Sequence, residues 1–233
     1  PEVSVFVVCD GQRAVALPPA QDYKRVGDGD AGPNTGGMGA YSPLPWLPEG
    51  FADDIIARFV EPTLAELRRR GIDYRGALYA GLMLTPDGPK LIEYNIRFGD
   101  PDSQVVLLRL TSDLAALLAS AARGRLDEAA PVTDEGAAVL VVAAAAGYPN
   151  APRAGDPIDG IAAATAVEGA TVLFAGVRDA DGTLVTAGGR VLNVIGRGAD
   201  LTEARTVAYQ ALAHLSWAGL HRRTDIAQGV AAQ

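Results

Sequence analysis

Apolar and polar positions along this chain switch between a two-residue and a helical period, and the switches mark out its elements. Val3-Ser4-Val5-Phe6-Val7-Val8 is a continuous β-rich run. Asp10-Gly11 reads as a tight turn into Arg13 to Leu17, which predicts that the first two strands form an antiparallel hairpin. From Pro18 to Gly50 no period holds, and a glycine- and proline-rich stretch of that length is expected to be a functional or disordered loop. Helical spacing then runs from Phe51 to Arg70 through Ile55, Ile56, Phe59, Val60, Leu64 and Leu67, with Pro62 predicted to kink or interrupt it. Ala77 to Leu84 and Lys90 to Asn95 read as two strands joined across Pro86-Asp87-Gly88. Two helices are predicted next, Asp102 to Leu110 and Ser112 to Arg123, with Ser112 capping the second.

A polar stretch from Gly124 to Gly136 separates two differently composed halves. Beyond it lie a buried-strand run from Ala138 to Ala145, the turn Gly147-Tyr148-Pro149-Asn150, and short strands near Thr171 to Val177, Leu184 to Thr186 and Arg190 to Val194. An amphipathic helix from Leu201 to Trp217 follows, capped by Asp200 or Thr202. The second half therefore reads as a small α+β domain, and no internal repeat is visible.

With 233 residues and 48% hydrophobic content, the chain can bury one large core or two modest ones. A net charge of -8 and a pI near 4.8 weigh against a nucleic-acid partner, since phosphate backbones are bound by clustered lysine and arginine. The longest apolar stretch, Ala137 to Gly147, is too short to cross a bilayer as a helix, and no signal segment opens the chain. No membrane partner and a cytoplasmic location are expected. Cys9 is the only cysteine, which leaves no internal disulfide, and its apolar setting suggests a core residue rather than a nucleophile. The chain opens on Pro1-Glu2 directly before a strand, as the middle of something longer would.

The candidate chemistry sits in two places. In the strand Leu91 to Asn95, alternation puts Glu93 and Asn95 on one face, joined by Arg97 if the strand continues, with Ile92, Tyr94 and Ile96 on the other. A carboxylate, an amide oxygen and a guanidinium on one face suit a magnesium ion and the phosphate oxygens it bridges. The same pattern also fits a half-buried strand whose polar face meets water. The second place is the run Gly27 to Gly39, GDGDAGPNTGGMG, where six of thirteen positions are glycine, so backbone could approach a ligand and turn its amides toward an anion. It has no Walker A ending, and a flexible linker explains glycine content equally well. Its flanks, Gln21-Asp22-Tyr23-Lys24-Arg25 and Ala40-Tyr41-Ser42-Pro43, are specific in composition.

Taken together, QDYKRVGDGDAGPNTGGMGAYSP at Gln21 to Pro43, LYAGLMLT at Leu78 to Thr85 and LIEYNIRFGDPDSQ at Leu91 to Gln104 closely resemble the phosphoribosylamine–glycine ligases, also called glycinamide ribonucleotide synthetases. The likeness continues through Gly147 to Pro149 and GGRVLNV at Gly188 to Val194. It implies an α+β fold: the C-terminal portion of an ATP-grasp domain over 1–125, a linker over 126–136 and a small C-terminal α+β domain over 137–233. It also implies a ligase of purine biosynthesis that joins glycine to 5-phosphoribosylamine with ATP. By the family's motif, Glu93 and Asn95 would ligate Mg²⁺ or Mn²⁺, and Arg97 would stabilise charge on the transferring phosphoryl group or on glycine's carboxylate. Asp100 would meet the glycine ammonium, while Asp22, Lys24 and the backbone of Asn34, Thr35, Gly36, Gly37, Met38 and Gly39 would line the substrate site. Buried structural hydrogen bonding would also account for Asp22 and Asp100. The family commonly has histidine where this chain has Tyr23. The resemblance covers a C-terminal half, so it implies a fragment, inactive alone, whose missing N-terminal part holds most ATP-binding residues. Another ATP-grasp carboxylate–amine ligase, or a non-catalytic binding module derived from the fold, would share these motifs.

Overall fold

The computed structural model describes residues 1–126 and 131–230, so positions 127–130 of the expected linker lie outside the described residues. In chain order, strands β1 (Glu2–Asp10) and β2 (Ala14–Ala16) form the predicted antiparallel hairpin. The segment expected to be an aperiodic loop instead holds four short strands: β3 (Gln21–Asp22), β4 (Arg25–Gly27), β5 (Ala31–Asn34) and β6 (Gly39–Ser42). Strands of two to four residues are too short to show a period, and their order comes from pairing with distant partners. The helix expected over 51–70 is divided into α1 (Phe51–Ile55), a π-helical stretch (Ile56–Val60) and α2 (Glu61–Arg69). Pro62 lacks an N–H, and the wider turn before it absorbs the interruption. The Phe59 carbonyl there accepts from the hydroxyls of Thr63 and Tyr94, each at 2.8 Å.

Strands β7 (Arg75–Thr85) and β8 (Gly88–Asn95) follow, then α3 (Asp102–Leu107) and α4 (Leu114–Ala122). Asp113, not Ser112, caps α4, accepting from the Ala116 amide at 3.0 Å, because the Ser112 hydroxyl is engaged by the Val132 amide. The remaining elements are β9 (Ala137–Ala144), α5 (Ile161–Thr165), β10 (Ala170–Phe174), β11 (Val177–Ala180), β12 (Thr183–Thr186), β13 (Arg190–Gly198) and α6 (Leu201–Ala213). Helix α5 was not anticipated, since an alanine-rich turn carries little periodicity. Asp200 caps α6 through the Glu203 amide, and the helix stops at His214 rather than reaching Trp217. No helix among the described residues is long and apolar enough to cross a membrane.

The chain divides into two compact units. The first comprises 1–21, 43–99 and 106–135; the second comprises 22–42, 100–105 and 136–233. The first is built on a four-stranded antiparallel sheet in the order β2-β1-β7-β8. Its centre is β1, buried from Val3 to Asp10, with α4 against β1 and β7. Burial first, and the Asp10 charge second, push the Cys9 thiol up to about 12, which leaves it an inert core group as its setting suggested.

The second unit is built on a five-stranded sheet in the order β10-β13-β9-β6-β3. Every residue of β9 is buried, and α6 covers β9 and β13. Strand β6 runs antiparallel to β9, pairing Gly39 with Val141 and Ser42 with Ala138. This approach requires glycine at 39, where a Cβ would lie 2.6 Å from the Leu140 carbonyl oxygen.

The β1–β2 turn is closed by the Asp10 carboxylate. It accepts from the amides of Gln12 (2.9 Å), Arg13 (2.7 Å) and Leu126 (3.1 Å). Burial alone would raise its pKa, but the three amides and the Arg13 charge outweigh it and hold the carboxyl below its ordinary value. A depressed folded pKa means that the stabilisation is present above the unfolded value near 3.8 and is lost as pH falls through the lower folded value. Asp10→Asn is therefore expected to cost about 1–3 kcal/mol at pH 7. Urea midpoints measured from pH 7 down to pH 2 should show the variant and the parent protein converging below about pH 4.

Candidate functional site

In the first unit, β8 presents Glu93 and Asn95 opposite Gly81 and Tyr79 of β7. The Asn95 Nδ2 donates to Glu93 Oε1 at 2.9 Å on an exposed face. Tyr94 turns the other way, its hydroxyl reaching the Phe59 carbonyl beneath, so the expected alternation holds across 93–95. It fails on either side. The register shifts between Gly81 and Leu82, leaving Ile92 as an extra residue in a bulge, and the strand ends at Asn95. Ile92 and Ile96, expected on a covered face, are 54% and 78% exposed. Arg97 lies past the strand end and donates from Nη1 to the Phe98 carbonyl at 3.0 Å, outside the alternation that would have placed it beside Glu93 and Asn95.

Two oxygen-bearing side chains at this spacing fit part of the donor set of a hard divalent cation, which keeps water or phosphate oxygens in its other positions. Rotating the Asn95 amide by half a turn sets its oxygen beside the Glu93 carboxylate. Gly81 stands opposite Glu93 where the Tyr79 ring leaves little room, since a Cβ there would sit 3.0 Å from Tyr79 Cε1 and 3.4 Å from Glu93 Cγ.

The second unit gathers the other candidates. Lys24 pairs with Asp22 at 2.7 Å, and the Asp22 side chain is 7% exposed. The turn from Asn34 to Gly39 is held almost entirely by its own unit. The Thr35 amide donates to the Lys24 carbonyl (2.7 Å), Gly36 to the Tyr148 hydroxyl (3.0 Å), Gly37 to Thr35 Oγ1 (2.9 Å) and Met38 to the Tyr23 carbonyl (2.7 Å). Four successive amides are thus engaged within the protein, whereas the glycine content had suggested amides turned toward an anion. Met38 is fully buried, and its carbonyl accepts from the Val142 amide.

Arg190, which sequence reasoning did not single out, ties this turn to Asp100. Its Nη1 donates to the carbonyls of Gly36 and Asp100, both at 2.8 Å, while Nη2 lies 3.5 Å from the Asp100 carboxylate. Asn193, two strand pairs further along β13, donates to Asp100 Oδ1 (3.2 Å) and Gln104 Oε1 (3.0 Å). Gly37 adopts φ 114°, and a Cβ there would strike Pro101 at 2.5 Å, so this crossing also requires glycine. The available signals were the GGRVLNV run, which holds both residues, and a buried amide in the otherwise apolar VLNVI of β13. Tyr23 is half-buried with its hydroxyl accepting from the Ala227 amide, and burial foremost pushes its pKa up, so the phenol stays neutral.

With this geometry in hand, the fold is recognisable as that of the ATP-grasp enzymes joined to a C-terminal domain. The biotin carboxylase domain of Hydrogenobacter thermophilus 2-oxoglutarate carboxylase, solved with MgADP, ADP and bicarbonate, superposes with a TM-score of 0.63 at 16% identity, over 95% of this chain and 46% of that one. Residues 1–103 match the model of the phosphoribosylglycinamide synthetase ATP-grasp (A) domain, and 138–229 match that of the phosphoribosylglycinamide synthetase C domain. The chain belongs to the phosphoribosylglycinamide synthetase family. The phosphoribosylamine–glycine ligase of Streptomyces coelicolor is 53% identical over 97% of this chain and 55% of its own length. The crystal structure of the Thermotoga maritima phosphoribosylamine–glycine ligase gives a TM-score of 0.87 at 39% identity, again over 97% of this chain and 55% of that one. The chain thus spans about half the length of the curated relatives it matches.

Replacing Arg190 by Ala should release the Gly36 and Asp100 carbonyls together. Hydrogen exchange is expected to quicken by about tenfold or more at Gly36, Gly37 and Met38, with the β9 amides unchanged. Unchanged exchange at the turn would show that Tyr148 and Thr35 suffice to hold it.

Proposed function

We propose that the protein from which this chain comes is an ATP-dependent phosphoribosylamine–glycine ligase of purine biosynthesis, acting in the cytoplasm. Its reaction would convert glycine, 5-phosphoribosylamine and ATP into glycinamide ribonucleotide, ADP and phosphate. In this reading 1–125 are the C-terminal portion of its ATP-grasp domain, 126–136 a linker and 137–233 its small C-terminal domain. The observation that carries the reading is the carboxylate–amide pair of Glu93 and Asn95, 2.9 Å apart on an exposed strand face, in a chain of this family.

Glycine's carboxylate is a poor acyl donor and must be activated. A carboxylate oxygen attacks the γ-phosphorus of ATP, the bond to the departing ADP oxygen breaks, and glycyl phosphate results. The amine of phosphoribosylamine then attacks the carbonyl carbon, expels phosphate and loses a proton. Both steps depend mainly on positioning and on neutralising phosphate charge. Glu93 and Asn95 would hold Mg²⁺ or Mn²⁺, which when bound neutralises charge on the nucleotide's phosphates. Arg97 would face the transferring phosphoryl group or the glycine carboxylate, for which an exposed guanidinium at a strand end is suited. Asp100, held by Arg190 and Asn193 with its carboxylate still 46% exposed, would receive the glycine ammonium. Asp22, Lys24 and the turn from Asn34 to Gly39 would line the remainder of the substrate site.

The full-length protein should release ADP only when glycine and phosphoribosylamine are both supplied. Combining Glu93→Gln with Asn95→Ala should lower kcat by about two orders of magnitude or more. Activity at the parent level in that variant would sink the metal-pair assignment, and ADP release with other carboxylates or amines in place of these substrates would redirect the reading to a different ATP-grasp ligase.

A further inference from the structure

The glycine-rich segment carries a second fastening that the reaction scheme above does not use. Its hairpin of β4 and β5 turns at Asp28–Asp30, where Gly29 (φ 63°) and Asp30 (φ 54°) are both left-handed. A non-glycine residue in that region costs on the order of 1–2 kcal/mol, so such a tip does not hold its shape unaided. Beyond the hairpin's own bonds, such as Arg25 Nη1 to the Gly32 carbonyl, a set of polar contacts reaches it from residues 221–225, nearly two hundred positions away. Arg223, whose side chain is 1% exposed, donates from Nη1 to Asp30 Oδ1 (2.7 Å) and the Arg25 carbonyl (3.2 Å). Its Nε and Nη2 bind both oxygens of Asp225, each at 2.7 Å. Asp225 also accepts from the Gly29 amide at 2.8 Å. Thr224 donates its amide and hydroxyl to the two oxygens of Asp28, and the His221 ring contacts the Val26 carbonyl at 2.8 Å.

The guanidinium also lies 4.7 Å over the ring of Tyr23, whose carbonyl receives the Met38 amide. Arg223 therefore touches the tip of the segment directly and its base through Tyr23. A planar cation with a fixed fork is suited to this, because it stacks and binds a carboxylate bidentately at once.

We propose that Arg223 is a positioning residue for the substrate loop, holding Arg25 to Gly39 in its working shape through Asp30, Asp225 and Tyr23. The proposal rests on the ligase reading only for what the loop binds; the fastening itself is a property of the fold. Removing it leaves the loop free to leave its bound shape, so substrate must select a less populated state. Affinity then falls by the fraction of molecules that keep the competent shape, while the chemical step, once substrate is seated, is unaffected.

The test compares the full-length parent protein with Arg223→Gln, Arg223→Lys and the surface double variant Asp28→Asn with Asp30→Asn. Hydrogen exchange should quicken by about tenfold or more at residues 27–35 of Arg223→Gln, with β9 and β13 unchanged. KM for glycine or phosphoribosylamine should rise by about tenfold, with kcat within about threefold of the parent. Arg223→Lys, keeping charge without the fork, should recover part of both effects. If Arg223→Gln does not accumulate as folded protein, the Asp28 and Asp30 double variant decides by the same criteria. Exchange at 27–35 equal to the parent's, or a fall in kcat at unchanged KM, overturns the proposal. A parent protein with no glycine-dependent ADP release would fail the ligase reading and leave the exchange result to decide the fastening.

Discussion

A segment in which six of thirteen residues are glycine has few side chains with which to fix its own shape, and the second compact unit is arranged around supplying that shape from elsewhere. Glycine loses more conformational freedom on ordering than any other residue, so the contacts must outweigh that loss. They come from three directions. The end of the segment, Gly39 to Ser42, becomes a strand against the fully buried β9. The middle, Gly36 and Gly37, is gripped by Arg190 and Tyr148. The tip, Asp28 to Asp30, is held by Arg223, Thr224 and Asp225. The glycines are themselves required where backbone must approach backbone or turn left-handed, as at Gly37 and Gly39. The flexibility suggested by composition is therefore absent where it would matter: one set of residues permits the path, and another enforces it.

The first unit solves a simpler problem. A polar pair is wanted on one face of a strand, and Tyr94 between them anchors that strand to the π-helical stretch below. The π-helical stretch contributes here through the Phe59 carbonyl, which accepts from the Tyr94 and Thr63 hydroxyls. Glu93 and Asn95 are held on the outer face by a contact made entirely on the inner one. The bulge at Ile92 confines this arrangement to three residues, and on either side the isoleucines that a continued alternation would bury are exposed.

Much of this was legible from local pattern. The two hairpins, the buried run of β9, the helix of Leu201 and the turn at Asp10-Gly11 each declare themselves within ten or fifteen residues, and Glu93 and Asn95 were readable as a pair because alternation is a local rule. What was not legible depends on partners far away in the sequence. Strands β3 to β6 are too short to show a period, and β6 exists because β9 lies a hundred residues further on. Ser112 was read as the cap of α4, but the distant Val132 amide takes its hydroxyl and Asp113 caps instead. Arg190 stood inside the GGRVLNV run without a role being read for it, and Arg223 carries no motif of its own, since an arginine in a strand or a terminal segment usually means a solvated charge. Arg97 was expected beside Glu93 and Asn95 only if the strand continued, and the strand ends at Asn95.

That both distant fasteners are arginines follows from what they must bind. Each meets backbone carbonyl and carboxylate oxygens at once: Arg190 meets the carbonyls of Gly36 and Asp100 and the Asp100 carboxylate, and Arg223 meets the carbonyl of Arg25 and the carboxylates of Asp30 and Asp225. Five donors in a fixed plane can serve several such acceptors with one side chain, whereas an ammonium offers three donors around a point and no plane to stack on Tyr23. The surroundings differ in a way that separates their roles. Arg223 is almost wholly enclosed, with Asp225 held at about 2 by the Arg223 and Gly29 contacts despite the opposing effect of burial, so its charge is neutralised within the fold. Arg190 keeps a fifth of its side chain in solvent beside a carboxylate that is itself half-exposed. The buried arginine can only shape the loop, while the other lies where a bound molecule could still reach the group it orients.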